Sequence, residues 1–85
     1  MYIRRVFYDP ATGAALYIYT QQGDFEYTQP AVMAALIGYS DAACMEWTTP
    51  DSAIEAAFAE TDADGKARRV NVSVDVSGDE PQLIF

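Results

Sequence analysis

The chain has 85 residues, of which 13 are acidic, 5 are basic and none is histidine, so its formal net charge at pH 7 is -8. Its 51% content of hydrophobic residues excludes a disordered chain, and it contains no apolar run of the roughly 18 residues that a membrane-spanning helix requires. The acidic balance argues against direct nucleic-acid binding, which depends on clustered Lys and Arg. We therefore expect a single domain over residues 1–85 that associates with neither membranes nor nucleic acid.

The first 20 residues predict a β-hairpin. Residues 2–8 are rich in aromatic and β-branched side chains, which are typical of strands. The sequence Asp-Pro-Ala-Thr-Gly at 9–13 predicts a tight turn, and residues 14–20 predict the returning strand. Since side chains alternate along a strand, Tyr17 and Tyr19 share one face of it.

Two short helices are predicted. Thr28 is the expected N-cap of a helix over residues 28–37, and Thr49 is the expected N-cap of a second helix over residues 50–60. Pro50 favours the first position of that second helix. The apolar stripes expected to be buried are Val32, Met33, Leu36 and Ile37 in the first helix and Ile54, Ala57 and Phe58 in the second.

Three further strands are predicted, at residues 43–48, 68–76 and 81–85. In the middle one of these, valines alternate strictly with polar residues, which indicates one buried and one solvated face. The resulting order is β-β-α-β-α-β-β. Because short turns link most of the strands, we expect an α+β domain with one antiparallel or mixed sheet and the short helices on one face.

The arginines are confined to two pairs. Arg4 and Arg5 lie in the first predicted strand, and Arg68 and Arg69 begin the fourth. If these strands are neighbours, two arginines can converge on a phosphate or a small nucleotide. The alternative, which we prefer in so acidic a chain, is that each arginine pairs with a cross-strand acid such as Asp75.

An acidic turn is the one candidate for a metal site. Glu60, Asp62 and Asp64 occupy positions 1, 3 and 5 of a calcium-binding loop register, but the twelfth position is Asn71 instead of the bidentate glutamate. We prefer the interpretation of a polar turn, and we expect no metal and no cofactor.

The sequence does not indicate an enzyme. Without histidine, the usual general base at neutral pH is missing. Cys44 is the single cysteine, and no local cluster of cations is present to activate its thiol. We expect no catalytic residues and interpret Cys44 as a packing residue.

A protein partner is the interaction that the composition favours. Tyrosine and tryptophan dominate binding hot spots, and the candidates are Tyr17, Tyr19, Tyr27, Tyr39 and Trp47. Together with the acidic residues Asp24, Glu26 and Glu46, the first two tyrosines predict a negative surface that docks on a basic groove. The alternatives are that the tyrosines are core or half-buried sheet residues and that the acidic residues confer solubility.

The compartment and the oligomeric state are also constrained. A single cysteine suits a reducing compartment, and the apolar run after Arg5 ends at Asp9, too soon for a secretory signal. We therefore expect a complete cytoplasmic domain. A chain this small has a limited core, so a homodimer is an open alternative to a monomer.

Several short runs together resemble small uncharacterised proteins encoded by phages and prophages of gut Clostridia-type bacteria. The runs are residues 1–9 with Thr12-Gly13, 45–48 with Pro50-Asp51, 54–58, 72–76 and 81–85. The resemblance covers most of the chain, is weakest over residues 21–44 and includes no catalytic signature.

This resemblance implies a phage setting, and we expect a non-enzymatic accessory protein that inhibits a host protein, for instance a nucleic-acid-handling defence enzyme. The alternatives are a virion-associated module of the tail or baseplate and, third, a small-nucleotide binder or sponge.

Overall fold

A computed structural model describes residues 1–84 as five strands and two helices. The elements are β1 (Tyr2–Tyr8), β2 (Ala15–Gln22), α1 (Pro30–Leu36), β3 (Ala43–Trp47), α2 (Ser52–Ala57), β4 (Ser73–Asp75) and β5 (Gln82–Ile84). This order is the predicted one, and the α+β class is confirmed. The end of the last predicted strand, Phe85, lies outside the described residues.

The strands form two antiparallel sheets instead of one. The larger sheet has the order β2-β1-β3, and β4 pairs with β5 in a two-stranded ribbon. The predicted strand over residues 68–76 is regular only at Ser73–Asp75. Within residues 1–84, a bridge between Ala14, just before β2, and Ser73 of β4 joins the two sheets.

The hydrophobic core cluster lies on one face of β1, and Ile3 and Phe7 are buried on the opposite face. Val6 and Tyr8 from β1 pack in this cluster with Phe58, at the end of α2, and with Val74 from β4. Partly buried side chains surround this cluster: Ala15, Ala43, Met45, Trp47, Ile54, Val70, Val72, Val76 and Leu83. All four valines of the alternating segment therefore contact the core, which satisfies their hydrophobic pattern although most of that segment is not a regular strand.

Both helices are shorter than predicted and begin later. The N-cap of α1 is Gln29, which makes no side-chain cap, instead of Thr28. The N-cap of α2 is Asp51 instead of Thr49, because the Asp51 carboxylate accepts hydrogen bonds from the amides of Ala53 and Ile54. Neither helix of the described chain is long and apolar enough to cross a membrane.

The two predicted helix stripes have different outcomes. Ala57 and Phe58 are buried, as predicted for the second helix. In α1 the prediction is wrong for Val32 and Leu36, which are 52% and 75% exposed. Met33 and Ile37 are half-buried, and Ala34, which the stripe did not include, is buried. A seven-residue helix gains little from its own propensity, so its tertiary contacts decide which side is covered.

The turn between β1 and β2 is joined to β4 at Gly13. The Val74 amide donates a hydrogen bond of 2.8 Å to the Gly13 carbonyl, and φ at Gly13 is +80°. A Cβ atom at this position would lie 1.8 Å from the Val74 carbonyl oxygen. The close approach of the two backbones, as well as the positive φ, therefore requires glycine.

We expect Gly13→Ala to destabilise the protein by more than about 3 kcal/mol, since it combines backbone strain with a steric clash. Gly65→Ala is the matched control, because φ is +79° there but no atom lies within 4 Å of the added Cβ. That variant should lose only about 1 kcal/mol. Urea denaturation measures both values, and equal losses would contradict the proposed backbone contact.

Candidate functional site

Arg4 fastens α2 to the core face of the sheet. Its Nε donates to the Tyr2 hydroxyl at 3.0 Å and to Glu55 Oε1 at 3.1 Å, and its Nη2 donates to Glu55 Oε2 at 2.8 Å. The guanidinium carbon lies 4.4 Å from the centroid of the Phe58 ring. Hydrogen bonds from Arg4, and then from Tyr2, lower the pKa of Glu55 below its ordinary value.

Arg5 points to the opposite face and is completely buried, with 0% exposure. Its Nε donates to Glu46 Oε1 at 2.7 Å, and its Nη2 donates to the carbonyl of Thr28, two residues before α1. Burial alone lowers the pKa of Arg5, but the hydrogen bond and charge of Glu46 outweigh this and raise the pKa above its ordinary value.

The arginines therefore place neighbouring segments on opposite faces of β1. We expected both helices on one face, but α2 contacts the Arg4 side, whereas the segment that leads into α1 contacts the Arg5 side. Alternation along β1 accounts for this division, because successive side chains leave the strand in opposite directions.

Tyrosines and one carboxylate surround the buried Arg5. The register places Tyr19 of β2 and Glu46 of β3 directly opposite Arg5, and Tyr17 opposite Phe7 on the same face. Tyr27 joins them from the loop before α1. We call Tyr17, Tyr19, Tyr27 and Glu46 the tyrosine face.

Tyr27 covers Arg5 and remains accessible to a partner. Its ring centroid lies 5.2 Å from the guanidinium carbon, and its hydroxyl donates to Glu46 Oε2 at 3.1 Å. Tyr27 is 45% exposed and Tyr17 is 42% exposed, whereas Tyr19 is half-buried. The face thus presents aromatic rings above an ion pair in which the guanidinium is buried and the carboxylate is partly exposed.

The structure assembles much of the predicted partner surface. Tyr17, Tyr19 and Glu46 come together, and Tyr27, one of the aromatic candidates, completes the group. Asp24 and Glu26 are exposed on the segment that leads from β2 to Tyr27. Glu46 has a second role that the sequence did not indicate, since it is the ionic partner of Arg5.

The four arginines predicted as an anion site do not converge. Arg4 and Arg5 are engaged by carboxylates on opposite faces, and Arg68 donates to the carbonyls of Ala56 and Ala57, where it caps the end of α2. Arg69 is exposed.

The preferred alternative, in which an arginine pairs with an acid on a neighbouring strand, is confirmed for Arg5. Its partner is Glu46 instead of Asp75. The Asp75 carboxylate instead accepts hydrogen bonds from the Ser77 hydroxyl and amide, which lower the pKa of Asp75.

The acidic turn is organised by its own backbone. Asp62 Oδ1 accepts hydrogen bonds of 2.9 Å from the amides of Asp64 and Lys66. Over residues 1–84, no group of three or more Cys, Asp or Glu side chains is placed to hold a metal ion. Glu60, the first residue of the calcium candidate, accepts a hydrogen bond through its backbone carbonyl from the Arg68 amide. These contacts are those of a polar turn.

Cys44 lies on the same face as Arg5, opposite Phe7 in the β1–β3 register. Burial raises the pKa of its thiol to about 11; the charge of Arg5 lowers it and that of Glu46 raises it further. The thiol is therefore neutral at pH 7, as expected for a packing residue.

Comparison with models of protein families, with curated proteins and with solved structures finds no match to this chain. The chemistry of the tyrosine face therefore indicates what it can contact. Exposed tyrosines offer apolar contact with a hydroxyl at the tip, and nearby carboxylates accept hydrogen bonds from cationic groups.

We expect Cys44 to react with iodoacetamide about a hundredfold more slowly at pH 8 than a thiol of ordinary pKa, because its thiolate fraction is that much smaller. The rate should rise about tenfold per pH unit up to about pH 10. Mass spectrometry measures the rate, with the urea-unfolded chain as control. A plateau near pH 8 would contradict the raised pKa.

Proposed function

We propose that this chain is a non-enzymatic binding protein that docks on a basic surface of another protein through its tyrosine face. The observation that carries the proposal is the exposure of Tyr17 and Tyr27, at 42% and 45%, above a completely buried Arg5. Tyrosines of this kind are strong interface anchors because they bury a large area while losing little conformational freedom.

The charge around this face supports a basic partner. The chain carries a net charge of -8, and Asp24 and Glu26 are exposed beside Tyr27 in the sequence. Opposite charge on the partner would accelerate the encounter and select against acidic surfaces. Nucleic acid is disfavoured as a direct ligand for the same reason.

We further propose that the partner belongs to a bacterial host and handles nucleic acid in defence. The tyrosine face, with the exposed Asp24 and Glu26 that precede Tyr27 in the sequence, would occupy the groove that otherwise binds the phosphate backbone, so the chain would act as an inhibitor in the host cytoplasm. The resemblance to phage and prophage proteins and the negative charge support such a partner.

A second candidate is a virion-associated module of the tail or baseplate. The observation that favours it is that β2 forms an outer strand of the β2-β1-β3 sheet, and such edges are common sites of assembly. Mass spectrometry of purified particles distinguishes the two candidates, since the module would be present in the virion at a fixed ratio.

The proposed binding site is tested with a double variant, Tyr17→Ala/Tyr27→Ala. We expect the wild-type chain to capture a stoichiometric basic protein from host lysate, and the double variant to bind that protein about a hundredfold more weakly by calorimetry. Binding should also weaken as salt is added, because the attraction is partly electrostatic.

Tyr39→Ala is the matched control, because Tyr39 is 38% exposed but lies outside the tyrosine face. It should retain full affinity, and circular dichroism verifies that each variant is folded. Full binding by the double variant, or no stoichiometric partner at any salt concentration, would contradict the proposal.

A further inference from the structure

Residues 69–72, which we call the strap, run antiparallel to β2 without forming a ladder with it. Ser73 bridges Ala14 just before β2, and the strap then passes along the outer edge of that strand. A cavity of about 640 Å³ lies between the strap and β2, and Ile18 is part of its lining. Within residues 1–84, regular pairing between the two sheets therefore stops at the bridge, although the two segments continue side by side.

Backbone groups on both sides of this cavity are placed to pair. The Gly23 amide donates to the Met1 carbonyl at 3.0 Å, and the Met1 amino group donates to the Gly23 carbonyl at 3.1 Å. Since hydrogen-bonded pairs alternate along an antiparallel ladder, the N–H and C=O groups of Ile18 point away from β1 and towards the strap. Within residues 1–84, the amide and the carbonyl of Val70 have no backbone partner.

The side chains of the strap and of β2 already share a face. Ala15 and Ile18 both lie on the core face, because a bulge between them adds one residue to β2. Val70 and Val72 pack against the core cluster from the strap, two positions apart as alternation along a strand requires. Pairing Val72 with Ala15 and Val70 with Ile18 therefore keeps all four side chains on the core face.

We propose that the strap closes onto β2 as an extension of β4, with Val70 opposite Ile18 and Val72 opposite Ala15. The two sheets then become one, in the order β3-β1-β2-β4-β5. The backbones of Ile18 and Val70 exchange two hydrogen bonds in this pairing. The Ile18 side chain, which is 36% exposed while the strap is open, is covered by its cross-strand neighbour.

Arg68 limits how far the closure extends. Its amide donates to the Glu60 carbonyl at 2.8 Å, and its guanidinium donates to the carbonyls of Ala56 and Ala57. These hydrogen bonds hold the start of the strap beside the end of α2. The new pairing therefore ends at Val70, and the backbone of residue 69 takes up the change in direction.

Closure of the strap controls access to the outer edge of β2. Exposed edges are normally guarded by charged residues or proline, and β2 contains neither. The closed strap supplies this protection, so a strand of another protein can pair with β2 only while the strap is open. The inference does not rest on the proposed function, since closure is measured on the isolated chain.

Amide hydrogen exchange, followed residue by residue by NMR on the isolated chain, tests the closure. The Ile18 and Val70 amides should exchange at least about tenfold more slowly than in the urea-unfolded chain. The Asn71 amide is the internal control, because it points away from β2 and should exchange at nearly the unfolded rate. Exchange of Ile18 and Val70 as fast as that of Asn71 would overturn the closure.

A pair of proline variants tests the hydrogen bonds themselves. Val70→Pro removes the donor to the Ile18 carbonyl and fills its place with the ring, so the Ile18 amide should lose its protection. Asn71→Pro is the matched control, because it removes an amide that points away from β2, and Ile18 should stay protected. Unchanged protection of Ile18 in Val70→Pro would overturn the pairing.

Disulfide trapping tests the register, and it also replaces Val70→Pro if circular dichroism shows that variant to be unfolded. In a Cys44→Ala background, the double variant Ile18→Cys/Val70→Cys should form a disulfide on oxidation, because paired Cβ atoms lie within reach. The double variant Ile18→Cys/Asn71→Cys should not, since the two side chains lie on opposite faces. Equal trapping of both pairs, or of neither, would overturn the register.

Discussion

The structure depends on two consecutive arginines in its central strand. Alternation along β1 directs Arg4 and Arg5 to opposite faces, and a guanidinium in either place must be neutralised, because a buried unpaired charge costs several kcal/mol. Glu55 of α2 neutralises Arg4, and Glu46 of β3 neutralises Arg5. The two ion pairs therefore hold α2 and β3 against β1, one on each face of the strand.

The ion pair between Arg5 and Glu46 bears more directly on the proposed function. Its Nη1 is buried without a hydrogen-bond partner among the described residues, so the Tyr27 ring and the Glu46 carboxylate compensate for the desolvation of the guanidinium. Tyr27 is held by this arrangement while almost half of it remains exposed. A surface residue whose side chain is already held by buried neighbours loses less conformational entropy when it binds a partner.

Local patterns predicted the parts of the fold that local chemistry determines. The hairpin, the order of elements and the shared face of Tyr17 and Tyr19 follow from alternation and turn residues. The choice of Glu46 over Asp75 as the partner of Arg5 depends on the β1–β3 register, which no short segment encodes. The predicted α1 stripe was wrong at Val32 and Leu36, because tertiary contacts, and not periodicity, decide which side of a short helix is buried.

A double-mutant cycle on Arg5→Met and Glu46→Leu, followed by urea denaturation, tests the central role of this ion pair most directly. Each single variant leaves one uncompensated partner, whereas the double variant replaces the pair by apolar side chains. We expect a coupling energy of about 3 kcal/mol, with the double variant more stable than Arg5→Met or Glu46→Leu alone. Additive losses, with a coupling below about 0.5 kcal/mol, would be those of an exposed surface pair and would contradict the account.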